Sequence, residues 1–587
     1  MLKRKFDKIL THGTGSQLLL LLIVVTLFFG LFMLIAAILG WNYGWQEIIA
    51  MFLDPGGFGG SGEHDGFRLI VTLVGILLFS TLLISVFNNI FDNISESAKS
   101  GAMRYRVKNH ILILGAKHQL MSMLEVLQEE HGKQDIVIMT RENVEKLSDE
   151  VNARFTEKRF LNRLVFYRST WDSLEELKTA YPQYAEKIYI IGDRDTDSDS
   201  TNIRSCTLLK TLCEHSERKI YCYVMMENGS TIDMYMKSKQ CLSTDKLKID
   251  ILNAREYAAE QVLSWTNFLP VIKADDQRFS HFVVLGTGGM AKAVAFIVAH
   301  NSHYPRWSDG SIRHTRITVI GEGMRSWMDH LAAARANLFK LSRTTYIAPD
   351  GREEKSLPQN DFLDVEWVFI DQSDASPMVR KMLKTWAADR EYQALRLAIC
   401  HEKQPDRIAS LLHLPKIIYD KEHPTPICIY LEEGGETALR AMSSEAYGVI
   451  KPFGPALGSL SDPLFTNRSK RVALVNAVYN VGIDGVSGYD LEQAWYDGSE
   501  ADKFASNYCS NALLFRWQNF DPLGDREPIY EAEHRRWMMS KLLMDLEHNC
   551  ICPYNEVHEY KLNNFKNIIN WMIDTYKEKG EFPKPEE

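Results

Sequence analysis

The sequence predicts a composite fold: a two-helix transmembrane hairpin with a re-entrant loop, then α/β tandem Rossmann-like units, then a mostly α C-terminal domain. Three observations carry this. Two uncharged apolar runs lie near the amino terminus, at 17–40 and 69–87. From His110 to about residue 455, short β-branched runs alternate with helix-length segments. Beyond the Pro- and Gly-punctuated stretch 451–463, strand signals fade and helical patterns take over.

At about 1.5 Å per residue, either apolar run reaches across a hydrocarbon core of about 30 Å. Lys3, Arg4, Lys5 and Lys8 precede the first run, residues 41–66 carry no Lys or Arg, and Lys99, Arg104, Arg106 and Lys108 follow the second. By the positive-inside rule both termini face the cytoplasm and the loop faces out. The expected location is therefore an integral membrane protein with two spans. The loop reads as a short helix, GWQEIIAMFL, followed by a glycine-rich entrance, DPGGFGGSGEHDG. As a pore hairpin, its filter candidates are Gly59, Gly60, Gly62, Glu63, His64 and Asp65, where glycines aim carbonyls inward and acids attract cations. The competing reading is an external loop of a simple anchor. Gly75, inside the second run, is read as a bend point or a packing glycine.

In the first α/β stretch the strands are HILILG, DIVIMT, RLVFY, KIYIIG, KIYCYV and KIDIL; the second repeats the pattern with HFVVLG, RITVIG, VEWVFID, LRLAIC and TPICIYL. Such alternation means a parallel, doubly wound sheet. The expected domains are 1–100, 101–272, 273–455 and 456–587, with 301–315 as an insertion in the second α/β unit. A net charge of −9 argues against nucleic acid as a partner. The nine cysteines, Cys206 onward, show no disulfide framework.

Chemistry is expected at three places. The first Rossmann turn, GAKHQL, has Lys117 and Leu120 where a dinucleotide fingerprint needs glycines, so it is not expected to hold a dinucleotide in the standard way. The second, GTGGMA, keeps Gly286 and Gly288 with Ala291 as third member, and Glu322 follows the next strand as a ribose candidate; this predicts a nucleotide or dinucleotide ligand, against a purely structural turn. Asp193, Asp195, Asp197 and Asp199 form an oxygen-rich loop after a strand, a candidate calcium site, against a solvated loop with Ser200 or Thr201 capping the next helix. His548, Cys550, Cys552 and His558 are metal-ligand types at loose spacing. No nucleophile, base and orienting group stand at a recognisable spacing, and the chain is not expected to be an enzyme.

The order of parts resembles that of ion channels gated by RCK (TrkA-N) domains. More specifically, GEHDG at 62–66, ISES at 94–97 and KNHILILG at 108–115 resemble the CASTOR/POLLUX branch. The resemblance implies a homotetramer, a cytoplasmic ring, and passage of cations, potassium or calcium, under the control of a small-molecule gating ligand. The potassium-filter signature TVGYG is absent. In the tail, Glu533, His534, Arg536 and Trp537 match the EHxRW helix of ryanodine-receptor-type (RyR) repeats, although the GWxYG element that follows it in that family is missing. That likeness implies a small ligand, nucleotide-derived, that biases a gate; the competing reading is an ordinary amphipathic helix. Together these give a ligand-gated cation channel of a bacterial inner membrane. The rivals are a membrane-anchored sensor or transport-regulating subunit, and a membrane-bound nucleotide-dependent enzyme.

Overall fold

The computed structural model describes residues 14–53, 64–117, 119–129, 132–194, 198–227, 229–238, 243–264, 268–431, 450–454 and 467–579. It divides into two compact units, residues 1–104 with 143–147, and residues 105–142 with 148–587.

The first unit contains α1 (Thr14–Ile38), α2 (Trp45–Leu53) and α3 (Asp65–Lys99). Phe32, Ala36, Ile48, Phe52 and Val71 form its small core. Glu47 accepts the Gly44 N–H at 3.0 Å and so closes the first turn of α2. His64 enters α3 from a left-handed conformation (φ 74°) and stacks on Trp41, with centroids 4.2 Å apart. A Cβ on Gly75 would run into the Phe52 carbonyl. Gly75 therefore serves close helix packing, and α3 runs through it as one helix. The filter candidates Gly59, Gly60, Gly62 and Glu63 lie outside the described residues.

The expected two-span integral membrane location is corrected here. Among the described residues no helix is long and apolar enough to cross a membrane. The last turns of α3 carry Asp92, Glu96 and Lys99.

The second unit holds two sheets and a helical domain. In the first sheet, β1 (Ile111–Leu114), β2 (Ile136–Thr140), β3 (Leu164–Arg168), β4 (Lys187–Ile190), β5 (Ile220–Met226) and β6 (Leu247–Asn253) are ordered β3-β2-β1-β4-β5-β6, all parallel. The central β1 is buried at every position, as a strand covered on both faces must be. The order reverses between β1 and β4, which puts their carboxyl ends at the switch point where ligands of such sheets collect. Three helices of this unit bear on the site below: α4 (Gln119–Glu129), α5 (Asp199–Cys213) and α6 (Ala254–Ser264).

The second sheet is larger than the sequence pattern implies. Its strands are β7 (Phe279–Leu285), β8 (Thr315–Gly321), β9 (Arg343–Ile347), β10 (Glu353–Ser356), β11 (Val365–Asp371), β12 (Gln393–Ile399), β13 (Ile427–Tyr430) and β14 (Ile450–Phe453), in the order β10-β9-β11-β8-β7-β12-β13-β14. Only β10 is antiparallel, pairing with β9 as an exposed edge hairpin whose residues EEKS carry no apolar signal. The expected insertion at 301–315 leads into β8, with 301–305 and 313 buried and 308–311 exposed. Arg313 in it is fully buried and donates to the carbonyls of Lys273 and Asp276, each at 2.8 Å.

Helix α7 (Gly289–Asn301) follows β7 and is buried along nearly its whole length. The reason is the C-terminal domain of α8 (Asn467–Val486, broken at Gly482), α9 (Leu491–Asp497), α10 (Glu500–Asn519), α11 (Glu527–Leu543) and α12 (Glu559–Lys579). One apolar cluster joins Ala258 and Val262 of α6, Ala291 and Val294 of α7, Tyr508 of α10, and Trp537 and Leu542 of α11. Both Rossmann-like units and the helical domain thus converge on α7.

Candidate functional site

At the first switch point the chain fills its own anion cradle. Gly115 turns with φ 102°, and a Cβ there would strike the Gly192 backbone. The Asp193 carboxylate accepts the Ala116 N–H at 3.0 Å, the Arg141 N–H at 3.1 Å and the Thr140 hydroxyl at 2.6 Å. These are the donors that a phosphate would need, so an internal carboxylate takes its place. Asp193→Ala should cost roughly 3 kcal/mol, since buried donors lose a charged acceptor. Its urea midpoint should fall while ligand binding at the second unit persists.

Asp199 is committed in the same way, both oxygens lying 3.1 Å from the Glu227 N–H. Asp195 and Asp197 lie outside the described residues. Among the described residues no group of three His, Cys, Asp or Glu side chains is placed to hold a metal. The calcium expectation thus has no support in the geometry, and Asp193 and Asp199 have backbone work instead.

The second switch point is open. Gly286 turns with φ 122° against the backbone of Cys400 and His401, and a Cβ on it would sit 2.8 Å from the Cys400 carbonyl. Gly288 caps α7 in an extended conformation, with Glu402 over it: a Cβ there would meet Glu402 Cγ at 2.5 Å. Arg255 of α6 lies across Gly289 in the same manner. Ala291 is wholly buried against the sheet, and Glu322 stands exposed just after β8, whose last residue Gly321 abuts Thr287. A chamber of about 180 Å³ opens here between Gly289, Met290, Arg255, His401, Glu402 and Tyr430.

That chamber shares Arg255, Glu227 and Gly289 with a cavity of about 500 Å³. The larger cavity is walled by Lys117 and Glu227 of the first Rossmann-like sheet's loops, by Lys292 and Phe296 of α7, and by Phe504, Tyr508 and Met544 of the helical domain, all within the second compact unit. Its size falls within the usual ligand-pocket range of about 300–1,000 Å³. Two of its cations are paired, Lys117 with Glu227 at 3.0 Å and Arg335 with Asp233 at 2.6 Å. Arg255 and Lys292 have no described carboxylate within ion-pair distance, and both stand at the amino end of α7. Burial lowers the Lys292 ammonium below its usual range, with Asp233 opposing. The helix dipole, two glycine N–H groups and two cations are chemically suited to hold an anion.

Glu256 faces the same cavity and accepts the Tyr508 hydroxyl at 3.1 Å. Desolvation raises its carboxyl to about 7, against the Tyr508 hydrogen bond and with Glu260 adding repulsion. Nothing in the sequence marked Arg255, Glu256, Lys292 or Tyr508; a weak signal was the charged pair Arg255–Glu256 directly after a strand.

The residues expected to form an RyR-like ligand site divide. Glu533 is fully buried and takes three contacts of 2.7–3.0 Å from Arg536. His534 gives Nε2 to the Cys550 carbonyl at 3.0 Å, and burial brings its imidazole down to about 4. Both are core. Arg536 and Trp537 reach a separate cavity of about 380 Å³ inside the helical domain. His548 Nδ1 accepts the Cys550 N–H at 3.0 Å, a turn contact within the loose His and Cys cluster.

No family model matches the chain, and no curated protein matches it. Solved structures similar to it include GsuK bound to ADP, at 14% identity and a TM-score of 0.37, covering 76% of this chain and 97% of that one. The GsuK channel bound to NAD is similar at 11% identity and a TM-score of 0.40, covering 76% of this chain and 82% of that one. The GsuK RCK domain is similar at 10% identity and a TM-score of 0.33, over 66% and 86%. Likenesses of this size carry no functional argument. The resemblances to the CASTOR/POLLUX branch and to RyR repeats meet no matching family model.

Proposed function

We propose that the chain is a ligand-responsive regulator of cation flow through a channel, with a nucleotide or dinucleotide as its effector. The observation that carries the ligand half is the joined cavity at the amino end of α7, where Arg255 and Lys292 stand without carboxylate partners beside Gly288 and Gly289. Phosphate oxygens take the N–H groups and the two cations, displacing the Glu402 side chain. The rest of the ligand lies along Phe296, Phe504 and Tyr508. Because three domains wall the cavity, a ligand that prefers one arrangement of them shifts its population. The tandem Rossmann-like units, in an order resembling that of RCK-gated channels, support the transport half, with four copies acting together. The reading is of binding without turnover.

Isothermal titration of the purified full chain with ADP and NAD tests the ligand half: saturable binding is expected, and flat titrations at millimolar ligand would sink it. Product analysis after long incubation separates effector from substrate. Cation flux through a channel reconstituted together with this chain, with and without nucleotide, tests the transport half separately.

The pH dependence of binding has a definite sign. With its folded-state carboxyl raised to about 7, Glu256 is largely neutral below that pH and becomes an anion in the cavity above it. Affinity for an anionic ligand should therefore fall as pH rises through 7, and Glu256→Gln should flatten the profile. The same raised value means that stability tied to neutral Glu256 is fully present below about 4.5 and lost as pH rises through 7.

A further inference from the structure

We propose that the helical domain contains a second ligand pocket, for a compact aromatic anion, with Lys561 as its charge anchor. This goes beyond the nucleotide reading and stands on separate residues. The pocket is the cavity of about 380 Å³ lined by residues of α8 to α12, at the small end of the ligand-pocket range.

Three features define what it takes. Lys561 holds its ammonium over the Trp537 ring at 4.3 Å and the Tyr479 ring at 4.8 Å, yet no described carboxylate lies within ion-pair distance of it. The acids on the cavity wall are committed elsewhere: Asp502 to Lys541 at 3.2 Å and to the Ser499 hydroxyl at 2.7 Å, and Asp497 to the Gln493 amide at 2.9 Å. The Tyr479 hydroxyl is buried without a partner among the described residues. A buried hydroxyl left unpaired costs about 1–3 kcal/mol, and an ammonium held only by rings still lacks an acceptor.

An anion with a flat body satisfies all three. Its charged end accepts from Lys561 and Tyr479, and its ring lies among Tyr489, Trp495 and Trp537. A quaternary ammonium, the other usual guest of an aromatic cage, is excluded because Lys561 already occupies the faces that it would take. Arg536 is not the anchor, since Glu533 holds its guanidinium. Burial, with help from Lys541, lowers the Lys561 ammonium to about 8. That makes Lys561 addressable by an amine-directed probe.

The test uses pyridoxal 5′-phosphate, an aromatic anion whose aldehyde condenses with a free amine to an imine and water. The full chain is exposed briefly at pH 8, reduced with borohydride, and mapped by peptide mass spectrometry. Lys561 should label about tenfold faster than exposed lysines, and added benzoate should slow its labelling alone. Quenching of tryptophan fluorescence by the probe should saturate in the natural chain and in Lys561→Arg, and disappear in Lys561→Met. Labelling of Lys561 no faster than that of surface lysines overturns the site. Equal protection by inorganic phosphate and benzoate overturns its aromatic character, and protection by choline overturns the sign of its ligand. The labelling comparison needs no variant, so a misfolded Lys561→Met leaves the test intact.

Discussion

Glu533→Ala is expected to destabilise the helical domain by roughly 3–5 kcal/mol, the usual cost of stranding a buried charge. Glu533 and Arg516 are fully buried and Arg536 is nearly so; Glu533 contacts Arg536 at 2.7 Å, with Arg516 at 3.9 Å, and Cys509 Sγ donates to it at 3.5 Å. Burial already presses the Arg516 guanidinium down to about 10, and Glu533 is the main force holding it up. Without the carboxylate, two guanidinium groups lose their counter-ion where water does not reach. The measurement is urea unfolding followed by tryptophan fluorescence. The double variant Glu533→Ala with Arg536→Met should lose less than the sum of the two single losses, because the pair fails as a unit. Additive losses, or a change below about 1 kcal/mol, would mean that Glu533 faces a ligand, as its sequence context suggested.

The second large effect belongs to the anion site. Lys292→Glu should weaken nucleotide binding by at least about 30-fold, or roughly 2 kcal/mol, because one charge is lost and its opposite is placed at the amino end of α7. Arg255→Glu should act in the same direction and less strongly, since Arg255 is exposed. Stability should change little in Arg255→Glu, because Arg255 is exposed and has no described ion-pair partner to lose. Equal nucleotide affinity in Lys292→Glu and the natural chain, measured by titration at low salt, would move the site elsewhere.

Much of the α/β architecture was legible because parallel strands buried on both faces must be short, apolar runs: ILIL, IVIMT, HFVVL and TVIG can be read directly. The missed strands show the limit of that signal. In β10, EEKS is exposed at all four positions, and it is a strand only because it pairs with β9. The first turn was read as unfit for a dinucleotide from Lys117 and Leu120, whereas the decisive group, Asp193, comes from another loop and was read as a metal ligand. Pairing between loops 77 residues apart leaves no periodicity to detect. The EHRRW helix was legible as a helix, but not which of its polar residues lie in the core. From Ile529 to Leu543 almost every residue is buried, so Glu533 and His534 make internal contacts, while Arg536 and Trp537 line the helical-domain cavity. The cavity at α7 draws on segments from Lys117 to Met544, and only folding brings them together.

Hydrogen exchange of the full chain with and without ADP tests the central claim most directly. Nucleotide binding at the joined cavity predicts slowed exchange at Gly288–Phe296 and across 253–260, with a smaller effect near Tyr508. Protection confined to the first turn at Gly115–Lys117, or no protection at saturating ADP, would contradict it.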